Sequence, residues 1–407
     1  MNNTIKFIYF FKGDLSSHID IYKSWIDVVK NDINISMVTI IDFKTYKLQK
    51  KLVDDYREQG VTIFIVPRLA KRIYALLYFT YLLLKYQKVI VHLRKQSPQP
   101  FDLLKKVFQF RLKYIIEIEG DFESEIEYLS KSKNKYKDGF YDSLIKGMRK
   151  NAAILEKQLG NSDGVFAITK ELKQLFIDRY TKLNLKDKIH VIPTGFDSNK
   201  FYPDNELRIE YRKKYHLEDK FVMIFTGNAF YSWQNIKRSL ELFKLIKKES
   251  LLGEVFFLLL ISKQDHYIVE NFIKKLRIDK SDYLLTNVAH KEVNGMLNAS
   301  DMAILLRENH TLNKVASPGK LGEYLSSGID VLTTKHIGDY SEKMEKYNTG
   351  ILIDNIFDDI EVIKKIKSFG RDKSKKEVSK WAVENFSSQS YKKRYIDTLN
   401  SLIKDKR

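Results

Sequence analysis

From Arg307 to Gly328 the chain reads RENHTLNKVASPGKLGEYLSSG. A short apolar run, Met302 to Leu306, leads into a basic loop holding Arg307 and Lys314. Ser317-Pro318-Gly319 then opens a helix at about Lys320. Backbone N–H groups at a helix start carry partial positive charge and suit a phosphate. Arg307, Lys314 and Lys320 add full charges that fit a diphosphate. Glu323 falls one turn into the helix, where a carboxylate can accept two hydrogen bonds from ribose hydroxyls. The alternative is an ordinary capped helix beside a solvated basic loop.

A second set of titratable groups is acidic. Glu117, Glu119, Asp121, Glu123, Glu125 and Glu127 alternate along one stretch. Glu117 and Glu119 share a strand face, and Gly120 permits a tight turn. Glu119 or Asp121 is therefore a candidate for binding ligand hydroxyls or for stabilising a developing positive charge. The competing reading is a solvated acidic loop paired with lysines. His290 either contacts a ligand or caps the helix starting near Lys291. Trp233 reads as packing or as the wall of a site. His18 and His92 show no metal-ligand spacing and no Asp-x-Asp occurs in a suitable loop, so no divalent metal is expected.

These residues need a scaffold, and the chain supplies one. Short apolar runs alternate with helix-length segments, the pattern of doubly wound α/β domains. Strands are expected at 5–11, 35–41, 61–66, 88–92, 114–118, 164–168 and 189–192. A second set is expected at 221–225, 255–261, 283–285, 302–306 and 330–333. Asn235 stands at the N-cap position of an amphipathic helix carrying Ile236, Leu240, Phe243 and Ile246. Pro193-Thr194-Gly195 and Tyr202-Pro203 punctuate the join between the two sets. The expected domains are 1–195 and 196–385, with a closing helix over 386–407.

The 407 residues carry 71 Lys and Arg against 52 Asp and Glu, a formal charge of +19. Residues 1–200 account for +12 and residues 201–407 for +7. Such an excess suits nucleic acid, a membrane or a phosphorylated substrate. No cysteine is present, which excludes disulfides, a thiolate nucleophile and Cys-ligated zinc and favours an intracellular reading. The longest apolar run, Ile73 to Leu84, falls short of the roughly 20 residues that span a bilayer. With Arg68, Lys71, Arg72 and Lys85 around it, it is either a buried helix or one resting on an anionic membrane surface.

The segment SPGKLGEYLSSGIDVLTT resembles the nucleotide-sugar motif of GT-B glycosyltransferases, those of family 4 (group 1) in particular. VIPTGFDSNKFYP, Val191 to Pro203, is similar to that family's interdomain segment. NVAHKEVNGMLNASDMAILL, Asn287 to Leu306, is similar to its base-binding loop, helix and Ala-Asp strand. TGNAFYSWQN, Thr226 to Asn235, stands where the family has a Gly-Arg loop. Three motifs in the right order are specific where one alone is weak. The resemblance implies an α/β, GT-B fold: two Rossmann-like domains facing a cleft, with the last helix crossing back to the first.

Carried over by position, Glu323 would bind the donor ribose, and Lys320 with Arg307 or Lys314 would face the diphosphate. Backbone from Val288 to His290 would contact the base. Ser317, Pro318 and Leu321 belong to the matching motif, Gly227 and Asn228 to the loop before it. Gly13 and Asp14 would approach the sugar-phosphate from the first domain. The implied activity is retaining, metal-independent glycosyl transfer from a nucleotide-sugar, expected to be UDP-linked, with no further cofactor. A glycan or lipid-linked acceptor, a cytoplasmic location at the membrane's inner face and no nucleic acid partner complete the expectation. Three departures stand out. Val315 replaces the first of two family glutamates, Asn228 and Trp233-Gln234 replace an Arg and Lys, and Ile118-Glu119-Gly120-Asp121 replaces a His-Gly. Competing readings are a GT-B-shaped subunit without catalysis, a basic nucleic-acid-binding protein, and an enzyme acting otherwise on an activated sugar.

Overall fold

The computed structural model describes residues 5–11, 19–94, 99–132, 138–370 and 372–403. Seven parallel strands form the first sheet: β1 (Ile5–Phe11), β2 (Ile35–Asp42), β3 (Thr62–Val66), β4 (Lys88–Arg94), β5 (Leu112–Ile118), β6 (Gly164–Ala167) and β7 (Ile189–Val191). Their order is β3-β2-β1-β4-β5-β6-β7. Six parallel strands form the second: β8 (Phe221–Gly227), β9 (Val255–Ile261), β10 (Tyr283–Thr286), β11 (Met302–Leu305), β12 (Asp330–Thr334) and β13 (Gly350–Ile353). Their order is β10-β9-β8-β11-β12-β13. Helices connect the strands, so the doubly wound α/β expectation holds.

β9, β11 and β13 are continuous apolar runs because parallel sheets are covered on both faces. All seven residues of β9, VFFLLLI, are buried. Alternate residues feed different cores. Val222, Ile224, Leu258, Ala303 and Leu305 pack on one face of the second sheet. Met223, Phe225, Phe257, Leu259 and Ile304 pack on the other. β13, GILI, is a strand that sequence patterning missed; four apolar residues after a turn give almost no period to read.

The chain forms two compact units. One takes the described parts of Met1–Phe122, Lys146–Thr194 and Ser388–Arg407, the other those of Glu123–Ile145 and Gly195–Ser387. The helix Ser388–Ser401 lays Tyr391, Tyr395 and Leu399 into the first unit's core with Phe7, Trp25, Ile90 and Phe166. The helix Phe122–Ser132 mostly groups with the second unit, although it directly follows β5.

Candidate active site

In each sheet the strand order reverses beside its first strand, and ligands of parallel α/β sheets bind outside the carboxyl ends at that reversal. In the second sheet the reversal lies between β8 and β11. β8 ends in Thr226-Gly227 and is followed by Asn228; β11 is followed by Leu306 and Arg307. The helix Gly319–Ser326 is joined to the same place. Lys320 Nζ donates to the Thr226 carbonyl at 2.9 Å. The Thr226 N–H donates to the Tyr324 hydroxyl at 3.1 Å, and the two hydroxyls lie 2.7 Å apart.

Two glycines make this approach possible. Gly227 has φ +151°, and a Cβ there would sit 2.4 Å from Lys320 Nζ. A Cβ on Gly322 would sit 2.4 Å from the Phe196 ring, so the helix seats directly on that ring. No side chain caps the helix start at Pro318.

Among the described residues, no carboxylate is hydrogen-bonded to Arg307 or Lys320, and Glu323 acts on Lys320 only through its field. Arg307 is 7% exposed. It donates to the carbonyls of Leu306 at 2.9 Å and Trp233 at 3.2 Å, and to Gln234 Oε1 at 3.2 Å. All three acceptors are neutral. Burial lowers its pKa to about 10. Lys320 falls to about 8, through burial first and the Arg307 charge second. Burial raises Glu323 to about 7, against the opposing pull of Lys320 and Lys200. Asn228 Oδ1 is buried without a hydrogen-bond partner. Buried charge without a partner is costly. A cluster of this kind is a functional-site signature, because an anionic ligand supplies what the protein lacks.

Other sequence-predicted residues fall differently. Leu321 is fully buried in the core, and its N–H donates to the Pro318 carbonyl. The buried Ser317 hydroxyl lies 3.2 Å from the Tyr340 hydroxyl. Lys314 is exposed on the short helix Thr311–Lys314, and no contact links it to Arg307 or Lys320. Val315 is 2% exposed, an apolar position in place of a carboxylate. His290 is exposed, with its ring edge-on to Phe201 at 5.9 Å. Its side chain caps nothing, for Glu292 accepts the Ala289 N–H at 3.2 Å instead. Asn235 is in the left-handed region and gives its helix no side-chain cap. Gly13 and Asp14 lie outside the described residues.

The acidic candidates of the first unit are paired with arginines, not solvated beside lysines. Asp121 is 2% exposed and takes a bidentate bond from Arg179 at 2.6 and 3.1 Å. Both of its oxygens are thus engaged in a charge-assisted pair. Glu119 lies 3.0 Å from Arg94 Nε. Arg94 also bonds Glu117, whose other oxygen is 3.1 Å from His92 Nε2; His92 Nδ1 lies 3.0 Å from the Tyr395 hydroxyl. This buried network occupies the carboxyl ends of β4 and β5.

Sequence reasoning missed three features around the second unit's site. Asp265, just after β9 and 3% exposed, accepts the N–H groups of Ala229 at 2.9 Å and Phe230 at 3.3 Å. It thereby fixes the loop leaving β8. Trp233 stacks on Tyr231 with centroids 4.3 Å apart. Tyr128 donates to Glu308 at 2.9 Å and sets its ring edge on His310 at 5.1 Å. An isolated Asp or Tyr carries no local pattern from which such contacts follow.

Comparison with known proteins places this arrangement. Residues 208–385 match the family model described as glycosyl transferases group 1. A glycosyltransferase from Rickettsia africae aligns over 100% of both chains, with TM-score 0.69 and 16% identity. Anabaena Alr3699/HepE, solved in complex with UDP, aligns over 97% of this chain and 100% of its own, with TM-score 0.67 and 12% identity. WaaG, a glycosyltransferase involved in lipopolysaccharide biosynthesis, aligns over 98% of both chains with TM-score 0.57 and 15% identity. No curated protein sequence matches the chain. The fold is GT-B, and the stretch that matches the group 1 glycosyltransferase model, residues 208–385, carries Gly227, Arg307, Lys320 and Glu323.

Proposed function

We propose that the protein transfers a sugar, with retention and without a metal ion, from a UDP-linked donor to a lipid-linked glycan at a membrane surface. The observation that carries the donor site is a pair of cations, buried Arg307 and half-buried Lys320, with no carboxylate among the described residues bonded to either, at the reversal between β8 and β11. A diphosphate supplies the missing negative charge. Glu323, beside them on the helix, accepts the ribose hydroxyls. The UDP complex of HepE supports the choice of nucleotide, and the role of WaaG supports the class of acceptor.

The reaction breaks the bond from the sugar's anomeric carbon to the diphosphate oxygen and forms one to the acceptor oxygen on the same face. Negative charge grows on the leaving diphosphate, where Lys320 and the helix start are already oriented. The acceptor's proton passes to the departing phosphate oxygen, so no protein nucleophile is required. Arg307 serves chiefly by holding Trp233 and Gln234 beside the leaving group, since its bonds already run to that turn.

The test is a nucleotide-sugar panel read by thermal shift and donor hydrolysis. UDP-sugars should stabilise the protein, and Lys320→Ala should lower turnover about a hundredfold or more while the apo melting temperature holds. Wild-type turnover in Lys320→Ala and Glu323→Ala alike would overturn the assignment.

A further inference from the structure

The helix Lys71–Lys85 is apolar on two opposite sides. Ala75, Phe79, Leu82 and Leu83 face the core and are buried. Ile73, Leu77, Tyr81 and Leu84 recur at the same helical period on the other side, exposed by 61%, 65%, 54% and 70%. A neighbouring helix, Gln99–Val107, packs beside it on the same face of the first sheet. Phe79 and Phe101 meet edge to face at 4.7 Å, and both meet Phe10 of β1. This second helix and its turn add Val107, 75% exposed, and Phe110, 68% exposed. A helix apolar all round is ordinarily covered on all sides, and a contiguous apolar patch marks an interaction surface.

Charge identifies the occupant. Residues 68–111 contain ten Lys and Arg and one carboxylate, Asp102. That carboxylate already accepts the Tyr114 hydroxyl. Arg68, Arg72, Lys85 and Lys106 are exposed around the apolar stripe. Lys85 Nζ lies 5.7 Å from the Tyr81 ring centre, an aromatic and a cation side by side at the rim. Apolar residues bordered by cations and tyrosine match the boundary between acyl chains and anionic headgroups. None of the described helices is long and apolar enough to cross a membrane, so the fit is to a helix lying in the interface.

We infer that this two-helix face of the first unit docks on an anionic lipid bilayer, with Ile73, Leu77, Tyr81, Leu84, Val107 and Phe110 entering the headgroup region. The inference deepens the lipid-linked-acceptor reading above and rests on it for its purpose. Its test is separable from that reading. Flotation of the full chain with phosphatidylcholine vesicles should require phosphatidylglycerol and weaken with added salt. Leu77→Asp with Leu84→Asp should reduce apparent vesicle affinity roughly tenfold or more, with an unchanged melting temperature because both positions are exposed. Phe357→Asp with Ile360→Asp, exposed residues of the second unit, should leave flotation unaltered. Thermal shift with UDP-sugar, run on the same preparations, reads the donor site independently. Donor binding without flotation overturns the lipid surface and leaves the donor reading standing; flotation without donor binding does the reverse. Equal flotation of the Leu77/Leu84 variant overturns the surface. So does a concentration-dependent dimer in sedimentation that the same substitutions abolish while vesicles are ignored.

Discussion

Glu323 is held in a state that favours its neutral form, and that makes its effects on stability and on activity oppose each other. Its folded-state pKa, about 7, lies above the ordinary 4.5 because of burial. The unliganded protein therefore gains most from this group below the ordinary value. The gain is lost as pH rises toward 7, and stability stays reduced above that. Glu323→Gln should raise apo stability at pH 8 by up to about 2–3 kcal/mol and change it little at pH 4. The same variant should bind nucleotide-sugar less well, because the amide replaces one acceptor with a donor. Denaturant titration at the two pH values, with and without UDP, checks both halves. Lys320 leans the same way, charged form disfavoured, so diphosphate binding should raise its pKa and draw a proton into the site. Calorimetry in buffers of different ionisation enthalpy measures that uptake near pH 8.

Among the elements, the loop leaving β8 is the one whose shape the site cannot lose. Asp265→Ala would remove the acceptor of the buried Ala229 N–H and the part-buried Phe230 N–H, costing about 1–3 kcal/mol. The effect expected at the site is weaker donor binding: KM should rise several-fold, with a smaller change in kcat. Asp265→Asn, which keeps an acceptor oxygen, should restore most of that loss. Gly322→Ala tests the helix Gly319–Ser326, since its Cβ would enter the Phe196 ring; overpacking there costs about 1–3 kcal/mol and should lower donor affinity in the same titration. These elements were legible in unequal degree. β9 can be bounded to the residue from the sequence because a strand covered on both faces is an unbroken apolar run, and β1 is broken only by Lys6. The helix at Lys320 could be placed from Pro318-Gly319 and Gly328. The partners of Asp121 and Arg307 could not. Arg179 stands 58 residues from Asp121 and Gln234 stands 73 from Arg307, and nothing local encodes such pairings. The affiliation of Phe122–Ser132 with the second unit is hidden for the same reason.

At the scale of the molecule, the helix Ser388–Ser401 completes a core begun by β1. The Tyr395 hydroxyl meets buried His92, and its ring packs on Trp25 and Phe166 at 5.4 Å. Tyr395→Phe should cost about 1 kcal/mol by leaving His92 Nδ1 without that partner. Tyr395→Ala should cost about 3–5 kcal/mol, and limited proteolysis should show the added opening in the first unit. The excursion of the chain through residues 195–387 before this helix is made also sets an order of events at the ribosome. The unit that starts first must wait, with Phe7, Trp25, Ile90 and Phe166 lacking their final cover, until residues 195–387 and the helix after them have been synthesised. The unit encoded in the middle has all its strands beforehand. Early release or a pause within residues 195–387 would thus expose the apolar seat of the last helix, and the newborn chain should depend on chaperones most during exactly that interval.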